Sequence, residues 1–312
     1  MEPNLKILAE ESRGKRHAAV ALILSALVLA AFTFFMPSAP PDMLGPAAPV
    51  LPPDPFANVS LIARSAIVLD LTTGETLFEK EAEAQLPLAS LTKLLTLYAA
   101  SETLSPSFPV AISEAAIRQE GDSGFSAGET FAFSDLARFA LVASSNDAAF
   151  AIAEAAAGAR ALSGDSLLAS AAEAAGLSQT YAVNGTGLDA STAVAGGYGS
   201  ARDVALLAQA LMEKAPDIAR AATDASIIIR SAEGKDHSLK NTNPDIATLS
   251  GLVFSKTGYT DLAGGNLVVV FDAGILHPVA VAVLGSTREG RFRDAERLML
   301  ATRSLLAGVE LP

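Results

Sequence analysis

Apolar residues fall along this chain in distinct regimes, and each regime predicts its own kind of element. Ala18 to Met36 is an uninterrupted apolar run without a charge. At ~1.5 Å per residue it is long enough to cross a hydrocarbon core of ~30 Å as one helix. Between Pro37 and Pro55 stand eight prolines and almost no charge. Such a stretch supports neither helix nor sheet ladder, and reads as an extended stalk or as a disordered connector. Alternation then takes over. Ser65 to Leu71 and Glu75 to Lys80 flank Thr72-Thr73-Gly74, a β-hairpin pattern. Leu86 to Ala100 switches to helical spacing through Leu91, Leu94, Leu95 and Tyr98. Ser134-Asp135 predicts the N-cap of a helix reaching Val142, and further helices are predicted over 147–157, 166–175 and 200–214. The last third returns to strands at 249–256, 265–272 and 279–285, then closes with an amphipathic helix over 291–306. Strands first, helices in the middle, then strands and a final helix predict an α+β fold. It would be an antiparallel sheet flanked by helices on both faces, preceded by a single N-terminal transmembrane helix.

Charge refines this layout. Arg13, Lys15 and Arg16 stand directly before the apolar run, and no basic residue follows until Arg64. That asymmetry holds the N-terminus in the cytoplasm and sends the remainder across the membrane. A cleaved signal peptide is the competing reading, but Pro37-Ser38-Ala39 is a poor cleavage site and the run is longer than a usual signal core. The expected division is therefore a cytoplasmic segment 1–17, an anchor 18–36, a Pro-rich linker 37–57 and one extracytoplasmic domain 58–312. Either reading of the N-terminus leaves that domain extracytoplasmic.

Composition removes several function classes. Of 312 residues half are hydrophobic, enough for a substantial core. The net charge of −12, with no stripe of Lys and Arg, argues against a nucleic-acid partner. Cysteine is absent, which excludes disulfides, thiolate catalysis and zinc–cysteine sites. His17, His237 and His277 lie far apart without ligand-like spacing, so neither a metal nor another cofactor is expected.

Chemistry enters at Ser90-Leu91-Thr92-Lys93. Serine and lysine three positions apart on a helix share one face, so the amine can take the hydroxyl proton without a histidine. Ser12-Arg13-Gly14-Lys15 repeats the spacing on the cytoplasmic flank, so the pattern alone is weak. Two later motifs single out Ser90. Ser144-Ser145-Asn146 is the only S-x-N in the chain and Lys256-Thr257-Gly258 the only K-T-G. Lys93 can act as a base only when neutral, although a free lysine titrates near ~10.4. Burial, the positive end of its helix and a like charge from Lys256 would each lower it, with Lys256 the neighbour best placed to do so. Ser144 can relay a proton and Asn146 can hold a substrate amide. A plainer reading is also open: Asn146 and Asp147 would simply cap the helix that follows. Lys256 and Thr257 can bind a carboxylate, and Gly258 lets another chain approach. The backbone N–H groups of Ser90 and Tyr259 can form an oxyanion hole. Gly121-Asp122-Ser123-Gly124 has the look of a chymotrypsin-type nucleophile loop. It fails because no histidine lies between His17 and His237.

The residues around these motifs carry a wider resemblance. Pro87-Leu-Ala-Ser-Leu-Thr-Lys-Leu-Leu-Thr, Ala143-Ser-Ser-Asn-Asp-Ala-Ala, Asn184-Gly-Thr-Gly-Leu, Ser200-Ala-Arg-Asp-Val-Ala-Leu-Leu-Ala and Ser255-Lys-Thr-Gly-Tyr-Thr-Asp-Leu-Ala-Gly-Gly-Asn-Leu together span much of the domain. Over about 65–306 the chain resembles the penicillin-binding D-alanyl-D-alanine carboxypeptidases, low-molecular-mass serine peptidases with a β-lactamase-like fold. The resemblance implies Ser90 as acylated nucleophile, Lys93 as its base, and Ser144 and Asn146 as proton relay and amide ligand. Lys256 and Thr257 would take the terminal carboxylate of a peptidoglycan stem peptide. β-Lactams would acylate the same serine. An endopeptidase cutting cross-links is the nearest alternative. A β-lactamase fits less well, since Glu173 and Glu213 lie outside any E-x-x-x-N pattern. A non-catalytic wall-binding module would not need Ser90, Lys93 and Lys256 together. Departures from the family occur at 121–124, 168–175 and 198–200, away from the motif residues.

Overall fold

The computed structural model describes residues 3–34, 54–274 and 276–308, and it divides into two compact units. The first holds a single helix, α1 (Pro3–Phe34), whose segment Glu10–Thr33 has a mean hydropathy of 1.8 and is wholly exposed. An apolar surface of that size has no aqueous counterpart, and the segment has the length and composition to cross a membrane. Most of the expected linker, 37–53, lies outside the described residues.

The second unit is built on a five-stranded antiparallel sheet. Strands β1 (Ser65–Asp70) and β2 (Thr76–Lys80) form the expected hairpin. The short strand β3 (Leu86–Pro87) precedes a 3-10 turn over Ala89–Leu91 and helix α2 (Thr92–Ser101). A small ribbon of β4 (Pro109–Ala111) and β5 (Thr130–Ala132) leads into α3 (Phe133–Val142), α4 (Asn146–Arg160) and α5 (Gly164–Ala174). Strands β6 (Tyr181–Ala182) and β7 (Gly197–Gly199) join β3, and α6 (Ala201–Lys214) and α7 (Pro216–Arg220) follow. A second hairpin, β8 (Ser226–Arg230) with β9 (Asp236–Lys240), precedes β10 (Leu252–Thr260), β11 (Gly264–Asp272), β12 (Pro278–Ser286) and α8 (Gly290–Ala307). The main sheet runs β10-β11-β12-β1-β2, so β10 is an edge strand.

Period-two alternation divides the sheet into two cores. Ile67, Val268, Val270, Ala280 and Ala282 point to one side, where they pack with Leu91, Leu94, Phe139 and Leu207 of the helical layer. Val68, Val269, Phe271, Val281 and Val283 point to the other, against Leu298 and Met299 of α8. Because both faces are covered, all six residues of β1 are buried. Phe56 is buried too and stacks on Phe78, so packing of this unit begins at Phe56.

Three expectations need correction. Residues 86–100 are not one helix: Leu86 and Pro87 pair with Gly199 and Tyr198, and Ala89 takes a left-handed φ of 50° before the helix starts at Thr92. The N-cap expected at Ser134 falls on Ala132, which makes no side-chain cap bond, while Asp135 sits in the first turn where the helix dipole favours it. The strand expected from Leu249 begins at Leu252. The β8–β9 hairpin and α7 were not expected at all.

Leu94 is fully buried in the helical layer, whereas Leu300 on α8 is half exposed. Leu94→Ala should therefore lower stability by about 2–5 kcal/mol, and Leu300→Ala by no more than about 0.5 kcal/mol. Denaturant unfolding of the full chain in detergent measures both; equal losses would contradict this packing.

Candidate active site

The 3-10 turn lifts Ser90 to the floor of a cleft between the helical layer and edge strand β10. Ser90 is half-buried, whereas Lys93, in the first turn of α2, is wholly inaccessible to solvent. Its Nζ makes three contacts: Ser90 Oγ at 2.9 Å, Asn146 Oδ1 at 2.6 Å and the carbonyl oxygen of Thr186 at 2.7 Å. The orientation of Asn146 is set by its own Nδ2, which donates to the Glu120 carbonyl at 2.6 Å. Thus two of the three oxygens facing Lys93 can only accept. A neutral amine satisfies both with its two N–H bonds and turns its lone pair toward the Ser90 hydroxyl.

Electrostatics favour that state. Burial lowers Lys93 to about 7, opposed by the charge of Asp147. Asp147 is buried and held by four donors, the hydroxyls of Ser123 and Ser145 and the N–H groups of Ser123 and Ala148. Ser123, from the protease-like Gly121–Gly124 sequence, is thus a support for this carboxylate. Lys256 is also displaced, well below the ordinary lysine range, by burial and then by the charges of Lys93 and Arg291. Burial is thus the largest cause at both amines, ahead of any charge between them.

The second motif sits on the α3–α4 junction. Ser144 has a left-handed φ of 57°, a conformation costly for a residue with a side chain and common at functional turns. The cap of α4 is Ser145, whose hydroxyl accepts from Ala148 N–H. Capping is thereby taken from Asn146, whose amide is free to face Lys93. Ser144 Oγ receives a hydrogen bond from Lys256 Nζ at 2.8 Å.

The third motif lies on β10. Lys256 also donates to its neighbour's carbonyl, Thr257 O, at 3.2 Å, and the Thr257 hydroxyl pairs with Thr242 at 2.6 Å. Gly258 marks a close approach of the strand to the Ser90 turn. A Cβ there would stand 2.9 Å from Leu88 O and 3.3 Å from Ser90 N, so any side chain would push the strand off the turn. Tyr259 follows at the exposed rim. All the expected residues, Ser90, Lys93, Ser144, Asn146, Lys256, Thr257, Gly258 and Tyr259, converge on this one cleft.

Four participants were not singled out from the sequence. Thr186 contributes only a backbone carbonyl, aimed by Asn184, whose Oδ1 accepts from the N–H groups of Thr186 and Gly187. Asp147 was read only as a possible helix cap. Thr242 comes from the loop after β9. Arg291, at the start of α8, passes beneath β10 to the Gly258 carbonyl. The Asn-Gly-Thr-Gly string was the one available signal. Among the described residues no cluster of metal-ligating side chains occurs.

An antiparallel sheet sandwiched between helices, with S-x-x-K, S-x-N and K-T-G meeting at its edge strand, defines the penicillin-binding peptidase class. The family model described as D-alanyl-D-alanine carboxypeptidase matches residues 53–287, and the chain belongs to that family. It is 30% identical to the D-alanyl-D-alanine carboxypeptidase DacF of Bacillus subtilis, over 76% of this chain and 61% of the relative. It is 29% identical to DacA of Escherichia coli K12, over 76% and 60%. The chain thus spans about three fifths of the length of these curated relatives. Among solved structures it superposes on penicillin-binding protein D2 of Listeria monocytogenes in its ampicillin-bound form. The TM-score is 0.64 and the identity 29%, covering 78% of this chain and 98% of that one.

Because Lys93 titrates near 7 against the pull of Asp147, one lysine side-chain 15N signal should titrate near neutrality and vanish in Lys93→Met. Asp147→Asn removes the opposing charge and should move that midpoint to lower pH. An unmoved midpoint would show that Asp147 does not set it.

Proposed function

We propose that this chain is a serine-type D-alanyl-D-alanine carboxypeptidase that removes the terminal D-alanine from peptidoglycan stem peptides. The observation that carries this reading is the buried Lys93 Nζ standing 2.9 Å from Ser90 Oγ, with its other two contacts taken by the Asn146 and Thr186 oxygens. Lys93 accepts the Ser90 proton as Oγ attacks the carbonyl of the penultimate D-alanine. The N–H groups of Ser90 and Tyr259 receive the developing oxyanion. Lys256 and Ser144 form a second proton route, leading to the departing nitrogen. Asn146 keeps one N–H for a substrate amide, and the Thr257 hydroxyl with the Lys256 amine as a hydrogen-bond donor takes the terminal carboxylate. D-Alanine leaves, and water then hydrolyses the ester on Ser90 to regenerate the hydroxyl. No metal or other cofactor enters these steps. A β-lactam would acylate Ser90 in place of the peptide.

The same machinery can cut cross-links, and a D-alanyl-D-alanine endopeptidase of Pseudomonas aeruginosa is 28% identical over 76% of both chains. Carboxypeptidase activity is the reading favoured by the family match. We place residues 1–17 in the cytoplasm, 18–36 in the membrane, 37–57 in a stalk and 58–312 in the extracytoplasmic catalytic domain. The basic residues before the apolar part of α1 support this orientation.

A fluorescent penicillin should label the wild-type chain covalently and leave Ser90→Ala unlabelled. Lys93→Met should slow acylation by about 10²–10⁴-fold. Mass spectrometry after incubation with a pentapeptide should show loss of one D-alanine, faster than cleavage of a cross-linked dimer. Equal labelling of Ser90→Ala would sink the assignment.

A further inference from the structure

Arg288 stands just before α8, and its guanidinium lies over the ring of Tyr259, 4.0 Å from the centroid. Both residues are exposed at the rim of the cleft, immediately after Lys256-Thr257-Gly258. The loop that carries Arg288 is held in place by Gly265, the cross-strand partner of Tyr259. A Cβ on Gly265 would fall 2.1 Å from Thr287 O and 3.1 Å from Arg288 N, so this crossing exists only because residue 265 is glycine. Among the described residues no carboxylate lies within ion-pair distance of Arg288, although Asp261 and Glu289 are near in sequence and the chain carries 34 acidic against 22 basic residues. An arginine stacked on an aromatic ring keeps its planar fork of donors oriented and unspent.

Its position along the strand says what it meets. On the proposed mechanism, on which this inference rests, the terminal carboxylate lies at Thr257 and the scissile carbonyl at the Tyr259 N–H. The remainder of the substrate therefore runs past Tyr259, away from Thr257. Each residue of an extended peptide advances about 3.3 Å, so the residue preceding the two D-alanines passes the rim at Arg288. We propose that Arg288 is a specificity-determining residue that pairs with a free side-chain carboxylate on this third residue from the C-terminus. The enzyme then prefers stem peptides bearing an acidic side chain there over those in which that position is neutral, amidated or basic. Arg291 is ill-placed for this task, being buried and committed to the Gly258 carbonyl.

The test uses N-acetyl-Xaa-D-Ala-D-Ala peptides in which Xaa is 2-aminopimelate, its ω-carboxamide or lysine, hydrolysed by the full chain in detergent. The wild type should favour the acid over its isosteric amide by about three- to tenfold in kcat/KM, the range of a part-exposed charge pair. Added salt should erode this preference. Arg288→Ala should lower kcat/KM for the acid by the same factor and leave the amide unchanged, while Arg288→Lys should retain part of the preference. An equal loss on acid and amide, or a preference that survives Arg288→Ala, overturns the proposal. Failure of the wild type to cleave any of the three would instead overturn the carboxypeptidase reading.

Discussion

Two amines share one dry cleft, and the rest of the structure is organised around keeping them there. A lysine taken from water loses its hydration, and a second one nearby adds repulsion. The fold answers this on Lys93 with Asn146 Oδ1 and the Thr186 carbonyl, and on Lys256 with Ser144 and the Thr257 carbonyl. The pKa shift is also a statement about stability. Lys93 is neutral above about 7 in the folded chain but stays charged to about 10.5 when unfolded. Over that interval the unfolded state binds more protons, so folding gains from this residue as pH rises and bears its full penalty below 7.

Holding such a site requires backbone to meet backbone. The Ser90 turn and the α3–α4 junction belong to the helical layer and β10 to the sheet, and turn and strand meet at Gly258, where a side chain is absent. Left-handed conformations at Ala89 and Ser144 help place the Ser90 and Ser144 hydroxyls. Each costs of order 1–3 kcal/mol and persists only because packing on both sides leaves no alternative. For Ala89 that packing is β3 against β7 behind it and the fully buried Leu91, Leu94 and Leu95 ahead. Mutations in the apolar core of this layer would therefore act on the site through geometry.

The elements that could be read directly were those whose pattern is local. The β1–β2 hairpin, α4, α5, α6, β11, β12 and α8 follow from periodicity and turn residues alone. The three motifs could be read because each carries side chains with obvious chemistry and they recur in one order. What escaped depends on partners distant in sequence. Leu86 and Pro87 became a strand by pairing with Tyr198 and Gly199. The β8–β9 hairpin alternates, but Ile228 on its outer face blurs the pattern. Thr186 acts through a carbonyl that every residue possesses, so its identity announces nothing.

The amino-acid sequence by itself determined which side chains are available: the hydroxyls of Ser90, Ser144 and Thr257, two amines, an amide and a permissive glycine, on an apolar scaffold with no cysteine and no ligand-like histidine pattern. It also determined that an apolar span long enough to cross a membrane precedes them. Only the tertiary structure decided which amine faces Ser90 and in what state. That answer depends on dehydration and on the direction of hydrogen bonds, and both are properties of surroundings assembled from four separate segments. Of the three effects expected to lower Lys93, namely burial, the helix end and the like charge of Lys256, burial is the largest in the folded chain. Proximity of like charges can be guessed from motifs, but the dielectric around them is made only by packing.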